Sequence, residues 1–244
     1  MNTVIRDLKL LQELDDQLKE NRQALEDGAA KLAQAGAGLK KFETKLAAAK
    51  ADLAAMRTRH RDLEGEVADF SLKRKNNEQR QMSVKNNNEY LALAKEAEFL
   101  NGRISDLEDE TLDILDRLDK KEFEIGDLEV VVSEEAATYG QLAATVETEA
   151  QTRRAALDSL AARRTAVIKA LPESQIKLYA EIYKNRGGRA VTAAANGLCL
   201  ACRLGFPPQI FNELQRNEKI LTCPNCGRII YWPDHPDFTE ELPA

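Results

Sequence analysis

No proline occurs in the first 171 residues, and all seven prolines of the 244-residue chain lie at or after Pro172. Proline lacks an amide hydrogen and holds φ at about −65°, so it gathers in turns and loops. So long a proline-free stretch does not suit a loop-rich globular domain. It suits long helices, and the composition agrees: 31% of residues are charged and only 5% aromatic, with Ala, Leu, Glu, Lys and Asp abundant.

A seven-residue ruler gives the helices a seam. Leu11, Leu18, Leu25, Leu32, Leu39, Leu46 and Leu53 recur without interruption, each followed three residues later by Leu14, Asn21, Gly28, Ala35, Phe42, Ala49 and Met56. His60, Leu63, Val67 and Phe70 carry the run on. A second run places Ile104, Thr111, Leu118, Ile125, Val132, Tyr139 and Val146 on one heptad position. Leu100, Leu107, Ile114, Lys121, Leu128, Glu135 and Leu142 hold the other. Apolar residues at this spacing are the mark of a coiled coil. The register then slips through Ala150, Leu157, Leu160, Val167 and Leu171, a local change of winding.

Between the runs the pattern weakens across Lys73 to Asn77 and Val84 to Tyr90, where five asparagines interrupt it. Asparagine is a poor helix former and a good cap or turn residue. The interruption predicts a hairpin with its tip at about residues 76–90, rather than one continuous helix pairing only between molecules. Gly28, Gly36 and Gly38 weaken the first arm and are read as a bend or a close helix contact. His60, alone on the seam, is read as a register-setting polar residue rather than a ligand or catalyst.

All four cysteines fall in Cys199-Leu200-Ala201-Cys202 and Cys223-Pro224-Asn225-Cys226, a C-x2-C pair separated by twenty residues from a second. The spacing fits four-thiolate zinc, since a two-residue spacer lets one knuckle present two sulfurs to the same ion. Gly227, directly after the second pair, suits a left-handed turn, and Gly205 is expected to serve the first in a similar way. An iron–sulfur site uses the same ligand type. A disulfide framework needs an oxidising compartment, and a redox CxxC normally stands alone in a βαβ setting. One structural Zn²⁺ with a closed coordination sphere is the expectation. Residues 189–193 and 229–232 read as short strands, 173–184 and 209–216 as helices. The fold class is therefore mainly α: a long antiparallel coiled-coil hairpin over residues 1–171, followed over 172–244 by a helix and a small C4 zinc ribbon domain.

The net charge of −6 averages unlike regions. Residues 98–135 carry 14 acidic against 4 basic side chains, whereas 136–191 carry 5 against 9. Arg186, Arg189, Arg203, Arg216, Lys219 and Arg228 surround the knuckles beside Tyr231 and Trp232, the residue types that contact nucleic acid or a protein partner. The segment 171–244 nevertheless balances at 8 basic and 8 acidic residues, and four thiolates around one Zn²⁺ add −2. No P-loop, GxGxxG or nucleophile motif is present, so an enzyme is not expected. The N-terminus lacks a cationic stretch before an apolar core, and no window approaches a transmembrane span, so a cytoplasmic protein without membrane insertion is expected. The seam is also compatible with a homo-oligomer.

Taken together, these residues resemble the bacterial C4-type zinc ribbon proteins that carry an N-terminal coiled-coil hairpin. The likeness rests on Val84-Lys85-Asn86-Asn87-Asn88-Glu89-Tyr90, on Gly197-Leu198-Cys199-Leu200-Ala201-Cys202, on Pro207-Pro208-Gln209 with Asn212-Glu213-Leu214, and on the run from Ile220 to Tyr231. The resemblance implies zinc on the four cysteines and a non-enzymatic adaptor role. In that family the partners include the sigma-54 transcription factor, flagellar or type III secretion components and, in one case, a flagellin transcript.

Overall fold

The structure, a computed structural model, describes residues 3–239. Two helices account for most of it, α1 (Thr3–Ser83) and α2 (Asn87–Ala170), with a turn at residues 84–86 between them. The turn lies inside the expected tip but is shorter. Asn86 closes it by accepting the Asn88 amide on its side-chain oxygen (3.0 Å) and the Tyr90 amide on its carbonyl (3.0 Å), an asparagine N-cap for α2. Asn76 and Asn77 are helical instead. Asn77 falls on the heptad position of Leu63 and Phe70 and is buried, donating to Glu96 (2.8 Å) and accepting from Gln81 (2.9 Å). Two asparagines are compatible with helix here because Asn77 is a satisfied polar residue on the seam.

Contacts divide the chain into two units, Leu32–Ala143, and Met1–Lys31 together with Ala144–Ala244. Within the first, Leu63, Leu107, Ile114 and Leu118 form a buried core against Leu53, Met56, Val67 and Phe70. These are seam residues of both heptad runs, so the arms pair as the repeat predicts. Arg57 and Glu122 (2.6 Å), Lys50 and Glu129 (2.6 Å), and Arg59 and Glu110 (2.9 Å) flank the seam. Gly36 is the close helix contact: a Cβ there would lie 3.3 Å from the Tyr139 ring, whereas one at Gly38 would meet open space. His60 is half-buried on the seam, 3.5 Å from Glu64 on its own helix.

The second unit packs the outer ends of α1 and α2 around the C-terminal elements. Pro172 (φ −62°, ψ 140°) breaks the helix and leads into α3 (Glu173–Asn185), which ends at Gly187 and Gly188 with φ of 68° and 85°. There follow β1 (Val191–Ala195), β2 (Leu198–Cys199), α4 (Pro208–Arg216), β3 (Leu221–Thr222), β4 (Ile229–Tyr231) and α5 (Pro236–Thr239). The sheet runs β2-β1-β4-β3, antiparallel except for β1 against β4, where Val191 faces Ile229 and Ala193 faces Tyr231. Asn196 and Gly197, both at positive φ, form a two-residue hairpin that brings Cys199 opposite Ala194.

One core joins helix ends to sheet: Leu8, Leu11, Leu171, Tyr179, Ile182, Ala190, Val191 and Ile229 are buried together. Gln12 stitches the same junction. Its side-chain oxygen accepts the amides of Ala190 (2.6 Å) and Val191 (3.2 Å), and its amide donates to the Gly188 carbonyl (2.9 Å). β1 begins at Val191, two residues later than expected: the Arg189 carbonyl is taken by Arg228 and the Ala190 amide by Gln12, while the Ala190 carbonyl accepts the Ile229 amide just ahead of the strand. Nearby, buried Asp15 accepts Arg164 Nε at 2.5 Å and the Tyr179 hydroxyl at 2.8 Å.

Candidate metal centre

The four cysteines arrive from two knuckles of matching design. Cys199 ends β2, and the chain turns back so that the Arg203 amide bonds the Cys199 carbonyl at 2.7 Å. In the second knuckle the Gly227 amide bonds the Cys223 carbonyl at 2.8 Å. The residue after each pair is left-handed: Gly227 at φ 72°, as its position predicts, and Arg203 at φ 58°. Gly205 does not take that part. It sits two residues further on, in a bridge with Leu198, and its carbonyl accepts the Asn225 side chain (3.0 Å), which ties one knuckle to the other. Amides of Ala201 and Cys202 point at the Cys199 sulfur, and those of Asn225 and Cys226 at the Cys223 sulfur.

The sulfurs all lie within 4.8 Å of one another. Cys199 to Cys226 and Cys202 to Cys223 are each 3.8 Å apart. A tetrahedron with zinc–sulfur bonds of about 2.3 Å has edges of about 3.8 Å, whereas a disulfide needs sulfurs about 2.05 Å apart. The donor set therefore fits one zinc ion with all four positions filled by protein. Burial pushes the Cys199 thiol up to about 12 and raises Cys223. Burial also opposes ionisation of Cys226, but the Arg228 amide and side chain and the adjoining thiols outweigh it and bring Cys226 down to about 7. Metal binding must thus displace protons from buried thiols, which couples the site to pH and to folding. Ala194, Phe206, Leu214 and Ile230 close over the cysteines as a small core, with Trp232, Ile210 and Phe211 packed at its edge.

The cationic and aromatic residues expected around the knuckles divide into committed and open ones. Arg228 is half-buried and donates from Nε to the Arg189 carbonyl (2.9 Å) and from Nη2 to the Arg186 carbonyl (3.0 Å). Lys219 pairs with Glu213 at 3.3 Å. Tyr231 is half-buried between Phe238, 5.1 Å between ring centroids, and Lys9, 5.9 Å above its ring. Trp232 packs on the cysteine core and stands 6.3 Å from the His235 ring. Arg186, Arg189, Arg203 and Arg216 are exposed. Arg189 and Tyr231 come together, with Lys9, Thr192 and Leu200, around a recess of about 270 Å³. Gln12 and Asp15 had no motif to announce them. The Asn-Gly pair at 196–197 did carry a readable hairpin signal that a search for metal ligands passes over.

Residues 198–230 match the C4-type zinc ribbon domain family and residues 11–187 the CT398-like coiled coil hairpin domain family. Among solved structures, CT398 from Chlamydia trachomatis superposes with a TM-score of 0.86 at 20% identity, over 95% of this chain and 98% of that one. A structure from Mycobacterium smegmatis gives 0.75 at 20% identity, and the HP0958 protein from Helicobacter pylori 0.56 at 17%, each over the same shares of the two chains. At these identities the likeness establishes the fold. No curated protein sequence matches the chain significantly. Among the described residues no helix is long and apolar enough to cross a membrane.

Proposed function

The chain belongs to the CT398-like coiled coil hairpin family, and from that premise we propose that it is a non-enzymatic adaptor holding a protein partner. The observation that carries this reading is the junction of ribbon and helix ends. Gln12 and the core around Tyr179 and Val191 lock the zinc ribbon onto the ends of both long helices, so metal and coiled coil shape one surface. A closed four-sulfur sphere suits a structural ion rather than an activated water. The partner class we favour is a sigma-54-type transcription factor or a flagellar or secretion component, following the family resemblance, and the place of action we assign is the cytoplasm.

Affinity capture from native lysate followed by mass spectrometry tests the reading, with Cys223→Ala as the metal-less control. Recovery of a transcription or secretion component by the zinc-loaded chain and its loss in Cys223→Ala is the expected result. Recovery of neither class overturns it. A second reading, RNA binding, draws support from the exposed Arg186, Arg189, Arg203 and Arg216. It has less support at Arg228, Tyr231 and Trp232, which are engaged within the fold. A mobility shift with an RNA probe that weakens steeply with salt would favour it.

A further inference from the structure

We propose that the outward face of α2 between Leu112 and Val130 is a docking ridge for a basic amphipathic helix of a partner protein. This deepens the adaptor reading and rests on it. In a two-helix coil the heptad positions farthest from the seam face water and are normally polar. Here the seam is occupied by Leu107, Ile114, Leu118 and Ile125, which are buried. On the opposite side of the helix Phe123 is 81% exposed, Leu112 64%, Val130 58% and, beside them, Leu115 41%. Leu112, Phe123 and Val130 are separated by about three and then two helical turns, so they stand on one line roughly 27 Å long. Single exposed apolar side chains are ordinary, whereas an aligned set on an otherwise polar face marks a contact surface.

Charge decides the occupant. Residues 105–134 contain 12 carboxylates and 3 cations. Those flanking the seam are neutralised: Glu110, Glu122 and Glu129 pair with Arg59, Arg57 and Lys50, and Glu124 with Lys121. The ridge is not. Asp116 has only Lys120 beside it, and among the described residues Glu108, Asp109, Asp113, Asp119 and Asp127 form no ion pair. Asp116, Asp119 and Asp127 alternate with Leu112, Phe123 and Val130 along the face. A second copy of this ridge, or a nucleic acid, would bring like charge against it. A helix of about 18–20 residues with an apolar stripe and flanking lysines or arginines matches both its length and its sign.

The test titrates the full-length, zinc-loaded chain into a fluorescein-labelled peptide of about 20 residues. The peptide is built of leucine, lysine and alanine, with leucines at alternating three- and four-residue spacing. Saturable binding that weakens with added salt is expected. Leu112→Ser with Phe123→Ser, and separately Asp119→Lys with Asp127→Lys, should each weaken it at least tenfold while the circular dichroism stays that of the wild type. The same peptide with glutamate for lysine should not bind, nor should a scrambled sequence of the same composition. Equal binding by the Leu112/Phe123 variant or by the scrambled peptide overturns the proposal. So does sedimentation showing self-association that Phe123→Ser abolishes, since the occupant would then be a second copy. If that variant still captures the cellular partner as wild type does while Cys223→Ala loses it, the adaptor reading stands and the ridge alone is refuted.

Discussion

At the scale of single residues, the decisive groups lie apart from the cysteines. Gln12 accepts two buried backbone amides on one side-chain oxygen, so Gln12→Ala leaves the buried Ala190 amide without its acceptor. An unsatisfied buried donor costs about 1–3 kcal/mol, and the urea midpoint of the variant should fall accordingly with an unchanged slope. Tyr179 makes a pH-dependent prediction. Burial first, and then the Asp15 carboxylate against its hydroxyl, hold its pKa far above the ordinary tyrosine value. The folded state therefore keeps this proton more tightly than the unfolded state. Its contribution is complete below about pH 10 and is lost as pH rises beyond that. Tyr183 and Tyr231, also raised by burial, act with the same sign. Tyr179→Phe should lose about 1 kcal/mol at neutral pH with its hydrogen bond, yet show a smaller fall in stability between neutral and strongly alkaline pH. An unchanged alkaline loss would show that Tyr179 does not report this linkage.

At the scale of elements, the long helices carry weak points that the seam does not need. Beyond its chain neighbours and the backbone of its own helix, a methyl group at Gly38 would have no atom within 4 Å, so Gly38→Ala meets no obstacle. It should raise stability by about 0.5–1 kcal/mol, the helix-propensity difference between the two residues, read from thermal melts followed at the helical signal. Gly36→Ala should gain less, because the Tyr139 ring must give way. Asn77 makes the opposite trade. Asn77→Leu adds apolar area to the seam, so the melting temperature should rise or hold while pairing specificity falls, as buried polar seam residues set register. Light scattering should then detect species larger than those the wild type forms. If the variant remains as homogeneous as wild type, Asn77 is not a register device.

At the scale of the whole chain, zinc and helices are separable supports. The ribbon core is small and is built around four sulfurs, so the metal supplies much of its folding energy. The chain's single tryptophan, Trp232, packs at the edge of that core and is a natural reporter. Chelation, or Cys223→Ala, should shift Trp232 emission while most of the far-ultraviolet helical signal persists, because α1 and α2 draw on their own seam. Elemental analysis should return one zinc per chain, falling as pH is lowered and the thiols regain protons. Concerted loss of helix and tryptophan signals would instead show that the hairpin depends on the metal.

The hairpin was legible in the sequence because heptads are a local code. Leu11 to Leu53 and Ile104 to Val146 state which face is buried without reference to any distant residue, and Pro172 marks where the code stops. The metal centre was legible for the same reason, since a C-x2-C spacer is a statement about one turn of chain. Three things needed the tertiary structure. Asn77 continues the heptad position of Leu63 and Phe70, but its burial there as a polar residue rests on Glu96 of the other helix, which accepts its side-chain amide. The left-handed place in the first knuckle fell to Arg203, not to Gly205, because each knuckle closes with the amide of the residue after its second cysteine on the carbonyl of its first, and there is no glycine at that place in the first knuckle to announce it. Gln12, Asp15 and Arg228 acquired their roles from partners far away in the chain, and such pairings leave no periodic trace. Local periodicity determined the elements and the metal ligands; contacts between distant segments decided how helix ends, ribbon and surface charge are joined.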